Sequence, residues 1–203
     1  MGRGSYHHGN LRQALIDATV TLIEQKGPMA FTLTEAARLA DVSAAAPYRH
    51  FASRDELLDE VARQGFVEFA ERLETVYDDG KPSALSAFLR IGQAYLRFAM
   101  DRQGYYMVMF ESGRTFPPNS PAGRASMQAY DILVKSAAGL FLHLPEGNRP
   151  PATMVANHMW SLSHGIVELF CRGTAADKSP VSPNEMLESA GLVYLRGLGV
   201  IPF

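Results

Sequence analysis

Tyr48, Arg49 and His50 place a phenol, a guanidinium and an imidazole on three consecutive positions, directly after Ala44-Ala45-Ala46-Pro47. Such groups donate hydrogen bonds to phosphate oxygens, and a guanidinium also matches the edge of guanine. The alanines matter as much, because a nearly bare helical face lets a backbone come close to a DNA groove. Elsewhere the reactive side chains are scattered. No Cys-x-x-Cys, His-x-x-x-His, Gly-x-Gly-x-x-Gly, P-loop or Gly-x-Ser-x-Gly spacing occurs, so no metal centre, nucleotide cradle or nucleophile elbow can be read. His158 and His164 lack the i,i+4 spacing of paired metal ligands. Cys171 shares a helical face with His164, but one such pair reads as packing. No catalytic residue, metal or cofactor is expected, and the chain is not expected to be an enzyme.

The elements that must position Tyr48–His50 follow from start and stop signals. Asn10 can cap a helix whose Leu11, Leu15, Ala18 and Leu22 form one apolar stripe, closed by Gly27-Pro28. Thr32-Leu-Thr-Glu35 has capping-box spacing and opens a short second helix reaching Ala40. Asp41-Val42 makes a tight break, and Ser43 can cap a third helix to about Phe51. Ser53-Arg-Asp-Glu56 opens a long fourth helix with Leu58, Ala62, Phe66, Phe69 and Leu73 as its buried seam, closed by Asp78-Asp-Gly80-Lys-Pro82. Two short helices across a tight turn, preceded by a longer one, are the pattern of a helix-turn-helix over residues 32–51. Further helices are expected near 83–103, 104–112, 121–144, 151–172 and 183–198, giving an all-α chain of about nine. The last opens on Ser182-Pro-Asn-Glu185, with proline at the first helical position.

Composition is that of an ordinary globular protein: 203 residues, 47% hydrophobic and 20% charged. One cysteine rules out an internal disulfide and points to a reducing compartment. The first residues carry no apolar leader, and no apolar run approaches the ~20 residues that span a bilayer, so a cytoplasmic location with no membrane contact is expected. Net charge is −2, but residues 1–54 hold six Lys/Arg against four Asp/Glu. That bias permits an electrostatic footprint for nucleic acid without demonstrating one.

The segment Ala36-Ala37-Arg-Leu-Ala40-Asp-Val42-Ser43, then Pro47-Tyr48-Arg49-His50-Phe51, then Ser53-Arg54-Asp-Glu-Leu57, resembles the TetR family of bacterial repressors. Tyr6-His-His-Gly-Asn-Leu11 is similar to the start of one subgroup, and Met159-Trp160-Ser-Leu-Ser-His164-Gly165 to a recurring C-terminal signature of the family. The resemblance implies a homodimer on a near-palindromic, double-stranded operator, with half-sites ~34 Å or more apart. It also implies a repressor released by a small effector. A DNA-binding domain is then expected over residues 9–69 and an effector-binding and dimerisation domain over 83–203. The DNA-facing set is Thr32, Thr34, Ser43, Ala44, Ala45, Pro47, Tyr48, Arg49, His50 and Arg54. Arg54 stands where the family most often has lysine, and Pro47 with Ala45-Ala46 departs from the usual glycine and threonine. The arm from Gly2 to Gly9 either follows DNA or is a frayed terminus.

Bulky residues of the C-terminal body suggest an apolar effector pocket lined by Phe88, Tyr95, Phe98, Met107, Phe110, Met127, Tyr130, Trp160 and His164. The apolar faces of the last two helices exceed what one core needs. Leu162, Ile166, Leu169, Phe170, Leu187, Ala190, Val193 and Tyr194 are therefore expected at a symmetric four-helix interface, burial within one chain being the alternative. A DNA-binding protein without an effector, architectural or partner-controlled, is the rival function.

Overall fold

The computed structural model describes residues 11–172 and 180–202 of the chain; the Asn10 cap, the N-terminal arm and most of the Gly173–Val181 loop lie outside them. The described residues form eight α-helices and no strand. They are α1 (Leu11–Lys26), α2 (Leu33–Leu39), α3 (Arg54–Tyr77), α4 (Ala84–Asp101), α5 (Gln103–Tyr106), α6 (Pro121–Gly139), α7 (Ala152–Ile166) and α8 (Pro183–Gly197). The expected third helix near residues 43–51 is replaced by turns and a 3₁₀ turn at Pro47–Arg49, which accounts for the difference from nine. Two helices run on as π turns: α5 over Met107–Glu111 and α7 over Val167–Cys171. The helix expected to reach residue 144 stops at Gly139.

The chain divides into two compact units. The first comprises the residues up to Phe66 together with Arg102–Gly123. Leu15, Ile16 and Ile23 of α1 lie buried with Ala36 and Ala37 of α2 and with Phe51, Leu57, Leu58, Val61 and Ala62. Those on the helices follow the period that puts one helical stripe in the core. α1 ends because Gly27 takes φ 87° while its amide still reaches the Ile23 carbonyl at 2.7 Å. Both ends of α2 are closed from within. The Thr32 hydroxyl accepts from the Glu35 amide at 3.1 Å, and Glu35 accepts from the Thr32 amide at 2.9 Å. The start of α3 is capped similarly: the Glu56 amide donates to Ser53 Oγ at 3.1 Å.

Residues 102–123 are held in this unit by three kinds of contact. Arg114 forms ion pairs with Asp59 at 2.7 Å and Asp55 at 3.1 Å. Phe110 and Phe116 each stand edge-on to Phe66 at 5.7 Å. Gly104 donates its amide to Glu24 at 3.1 Å, where α5 meets α1 without an intervening side chain.

The second unit comprises Val67–Asp101 and the chain from Arg124 onward. Its core gathers Phe88, Ala137, Leu140, Phe141, Val155, Ala156 and Leu195 from α4, α6, α7, α8 and the turn after α6. Arg90 satisfies the open end of α3, donating to the Val76 carbonyl at 2.7 Å and also to those of Tyr77 and Lys81. The capping box Ser182–Glu185 starts α8 as expected, and Gly199 at φ 71° ends it. There the Val200 amide returns to the Leu195 carbonyl at 3.0 Å while Val200 packs on the core.

Glu60 ties α1 to α3. Burial disfavours its charge, but hydrogen bonds from Arg63, Arg12 and Gln64 outweigh that and hold its carboxyl at about 2, against an ordinary 4.5. A folded-state value below the unfolded one gives stability that is fully present above pH 4.5 and lost as pH falls towards 2. Acid titration of the unfolding midpoint should show a steeper decline over this window in the wild type than in Glu60→Gln. Gly104→Ala would put a Cβ 2.8 Å from the Val20 carbonyl oxygen, a backbone atom with little room to retreat. Its denaturant midpoint should fall by the equivalent of about 1–3 kcal/mol.

Candidate nucleic-acid interface and ligand cavity

The turn after α2 is built without glycine. Asp41 takes φ 56°, its amide donates to Arg38 at 3.2 Å, and the Val42 amide reaches back to Ala37 at 3.0 Å. This pair of bonds closes the last turn of α2, and aspartate tolerates the left-handed conformation better than most residues. Beyond Ser43 the backbone turns through Ala46, whose amide donates to the Ser43 carbonyl at 2.9 Å. The next amide is missing, since Pro47 has none, so the four-residue ladder cannot begin at Ser43. The Arg49 amide bonds to Ala46 at 3.2 Å, and the amides of His50 and Phe51 share the Pro47 carbonyl at 2.9 Å. This is why the expected third helix is a 3₁₀ turn.

Buried Ala46, Pro47 and Phe51 pin the segment to the core of the first unit. Ser43, Ala44, Ala45, Tyr48, Arg49 and His50 are exposed, as are Thr32 and Thr34 at the start of α2. Tyr48 is 60% exposed, a large aromatic ring with no burial to account for it. Two members of the expected DNA-facing set behave differently. Pro47 turns inward, so it shapes the segment. Arg54 is half-buried: it donates to the Pro28 carbonyl at 2.5 Å and lies over the Phe31 ring at 4.7 Å. Its guanidinium is engaged within the fold, which its family position does not reveal.

The other cations of this unit are also sorted. Arg12 pairs with Glu60 at 3.0 Å and Lys26 with Glu35 at 2.6 Å. Exposed Arg38 and Arg49 form no ion pair among the described residues. Arg38 escaped the sequence expectation, yet a signal was present: it stands four residues after Thr34, on the same face of α2.

In the second unit a small cavity opens between α4, α6 and α7, lined by Phe88, Ile91, Gly92, Tyr95, Leu133, Ser136, Ala156, Met159, Trp160 and Ser163. No lining residue is charged. The Trp160 Nε1–H donates to the Tyr95 hydroxyl at 3.2 Å, and that hydroxyl lies 3.1 Å from Nδ1 of His164. Indole can only donate, so Tyr95 accepts there and its own hydrogen is available to His164. Ser136 donates to the Leu133 carbonyl at 2.8 Å, and Ser163 adds a second buried hydroxyl.

Of the expected pocket residues, Phe88, Tyr95 and Trp160 line this cavity and His164 supports it from behind Tyr95. Phe98 packs on Phe69 at 4.9 Å instead. Met107 and Phe110 belong to the first unit, Met127 is 51% exposed, and Tyr130 rests against Trp160 with its hydroxyl on Asn157 at 2.9 Å. Among the expected interface residues, Ile166 and Leu187 are buried within the chain, because their positions face the bundle core. Leu169 and Val193 are 56% and 69% exposed, and Leu162, Phe170, Ala190 and Tyr194 are half-buried. No three His, Cys, Asp or Glu residues converge as metal ligands among the described residues, and none of their helices is long and apolar enough to cross a membrane.

A helical head with an exposed, cation-bearing turn, in a chain whose second helical unit holds an uncharged cavity, is the arrangement of a helix-turn-helix regulator. Residues 15–61 match the family model for bacterial regulatory proteins of the tetR family. Residues 88–190, half of the chain, match that for the tetracyclin repressor-like C-terminal domain. The chain belongs to the TetR family of DNA-binding transcriptional regulators. A protein of unknown function from Rhodococcus sp. RHA1 is 27% identical with a TM-score of 0.80, covering 96% of this chain and 98% of its own. A TetR-family regulator from Thermus thermophilus is 18% identical (TM-score 0.65; 90% and 97% covered). Another, from Bordetella parapertussis 12822, is 19% identical (TM-score 0.66; 93% and 95% covered). No curated protein sequence matches.

The engagement of Arg54 has a measurable consequence. Arg54→Lys keeps the charge but loses the planar fork on Pro28 and Phe31. Thermal unfolding should show a loss of about 1–2 kcal/mol. A fully stable lysine variant would instead make Arg54 a surface cation.

Proposed function

We propose that the chain is a homodimeric repressor that leaves a palindromic operator when a small, largely apolar effector occupies the cavity of the second unit. The observation that carries this is the uncharged cavity with Tyr95, Trp160 and Ser163 in its wall, in a chain that also presents Tyr48-Arg49-His50 to solvent. Apolar clefts with a few convergent polar groups are the usual form of a ligand site. The protein acts in the cytoplasm and needs no cofactor.

Thr32, Thr34, Ser43, Ala44, Ala45, Tyr48, Arg49 and His50 form the DNA face, with Arg38 added as a phosphate contact. Arg49 reads a base edge, and Tyr48 and His50 hold the backbone. Polar base chemistry is otherwise scarce, so DNA shape and thymine methyl contacts share the discrimination. Dimerisation uses α7, its π turn and α8. Support comes from exposed Leu169 and Val193 beside half-buried Leu162, Phe170, Ala190 and Tyr194, on helices that already pack together through the 2.9 Å His158–Tyr194 contact. The effector acts by population shift and must favour the DNA-incompetent state.

Footprinting on the DNA upstream of the protein's own gene should reveal a protected palindrome, with protection lost on adding an apolar effector. Absence of any protected palindrome at physiological salt overturns the repressor. Protection that no small molecule alters favours a regulator without an effector. Arg49→Ala should weaken operator binding by about 1–3 kcal/mol and change base preference. Arg38→Ala should weaken all sequences alike and lower the salt dependence by about one counterion.

A further inference from the structure

A second small cavity adjoins the first. It extends towards α8, where Asn184, Leu187 and Glu188 line it. Phe88, Gly92 and Met159 line both cavities and therefore make up the wall between them. Two of the three cannot yield. Phe88 is 5% exposed and belongs to the core, and a Cβ on Gly92 would stand 3.0 Å from Leu187, so α4 and α8 already touch there. Met159 differs. It is half-buried, unbranched and free about three bonds. Its terminal methyl lies 3.6 Å from the position a Cβ on Gly191 would occupy, so it rests where α8 carries no side chain.

The chemistry of the walls limits the occupant. The inner cavity has no charged lining residue, and the outer one holds the carboxylate of Glu188 without a lining cation. An anion buried there would lack a counter-charge, at a cost far larger than an apolar chain can offset. A hydroxyl or carbonyl is matched by Ser163, and a hydroxyl also by the remaining acceptor lone pair of Tyr95. We propose that the two cavities are one elongated site for an uncharged, flexible, chain-like apolar ligand. Its polar end lies at Tyr95 and Ser163, and Met159 is the movable partition that sets the usable length. This rests on the reading of the second unit as the effector-binding body.

The test uses the full chain and the alcohols hexanol, octanol and decanol, with decanoate as the anionic control. Trp160 is the only tryptophan and lines the inner cavity, so its fluorescence reports occupancy, and calorimetry gives the dissociation constants. Affinity in the wild type should keep rising from hexanol to decanol, about three- to fourfold for each added methylene. Met159→Leu keeps the volume but is branched and stiffer. It should bind hexanol nearly as well while losing about tenfold of the decanol-to-hexanol ratio. Met159→Ala should raise that ratio, and decanoate should bind at least about tenfold more weakly than decanol. A ratio unchanged in both variants removes Met159 as a partition, and decanoate binding as tightly as decanol removes the uncharged class. If no alcohol binds the wild type, the effector-body reading fails and the proposal with it. If hexanol binds and only the length dependence disagrees, that reading stands and the elongated site alone is overturned.

Discussion

The buried seam of α3 is the constraint on which both units depend. One helix of 24 residues supplies Leu57, Leu58, Val61 and Ala62 to the first core, and Phe69, Leu73 and Tyr77 to the second. Burying a side chain of this size contributes about 1.5–3 kcal/mol, so neither core could lose its share and remain well packed. The seam also sets how its neighbours are made. At Gly65 an added Cβ would stand 2.6 Å from the Met109 sulfur, so the helix is bare where the π turn after Tyr106 lies against it. At its start Asp55 and Asp59 sit near the positive end of the helix and fasten Arg114.

Positive charge in the first unit serves two ends that composition alone cannot separate. A basic bias over residues 1–54 suggests a diffuse field for nucleic acid. Arg12 and Lys26 are in fact bound to carboxylates, and Arg54 is engaged by a carbonyl and a ring. Arg38 and Arg49 are the exposed cations of α2 and the turn. A counterion-release slope for this head should accordingly be small. Among the described residues, one arginine proposed for phosphate and one for a base edge cannot give each head the steep salt dependence of a protein that covers many phosphates.

What was legible in the sequence was whatever has a local cause. Thr32…Glu35, Ser53…Glu56 and Ser182…Glu185 each open a helix, because a cap is an interaction over three residues. Asp41-Val42 was legible as a break for the same reason. The third helix was not legible although its cause is also local: Pro47 lacks the amide that would join the Ser43 carbonyl, whereas Ala44-Ala45-Ala46 just before it favours a helix. The pocket was legible only where residues are large. Phe88, Tyr95 and Trp160 stand out, whereas Gly92, Ser136, Ala156 and Ser163 line a cavity by being small, which no periodicity announces. Met107 and Phe110 failed for a non-local reason, since Arg102–Gly123 folds with the first unit and finds Phe66 there.

The mismatch between a poor reading segment and a well-formed body bears on how the proposed regulator would discriminate. On the proposed DNA face, Ala44, Ala45 and an inward Pro47 would leave Arg49 as the main side chain able to separate one base pair from another. One good bidentate contact is worth about 1–3 kcal/mol, far short of the roughly 4–10 kcal/mol that separates specific from non-specific binding. In a symmetric dimer the contact occurs twice, and the separation of the two turns becomes a further condition that random DNA meets at few positions. Spacing then governs recognition more than any single contact does. It is also a property that a ligand with unequal affinity for two dimer states can alter without touching a base. A bare recognition turn and an uncharged cavity fit together on that account: the less each head reads alone, the more completely binding would depend on the geometry the body sets.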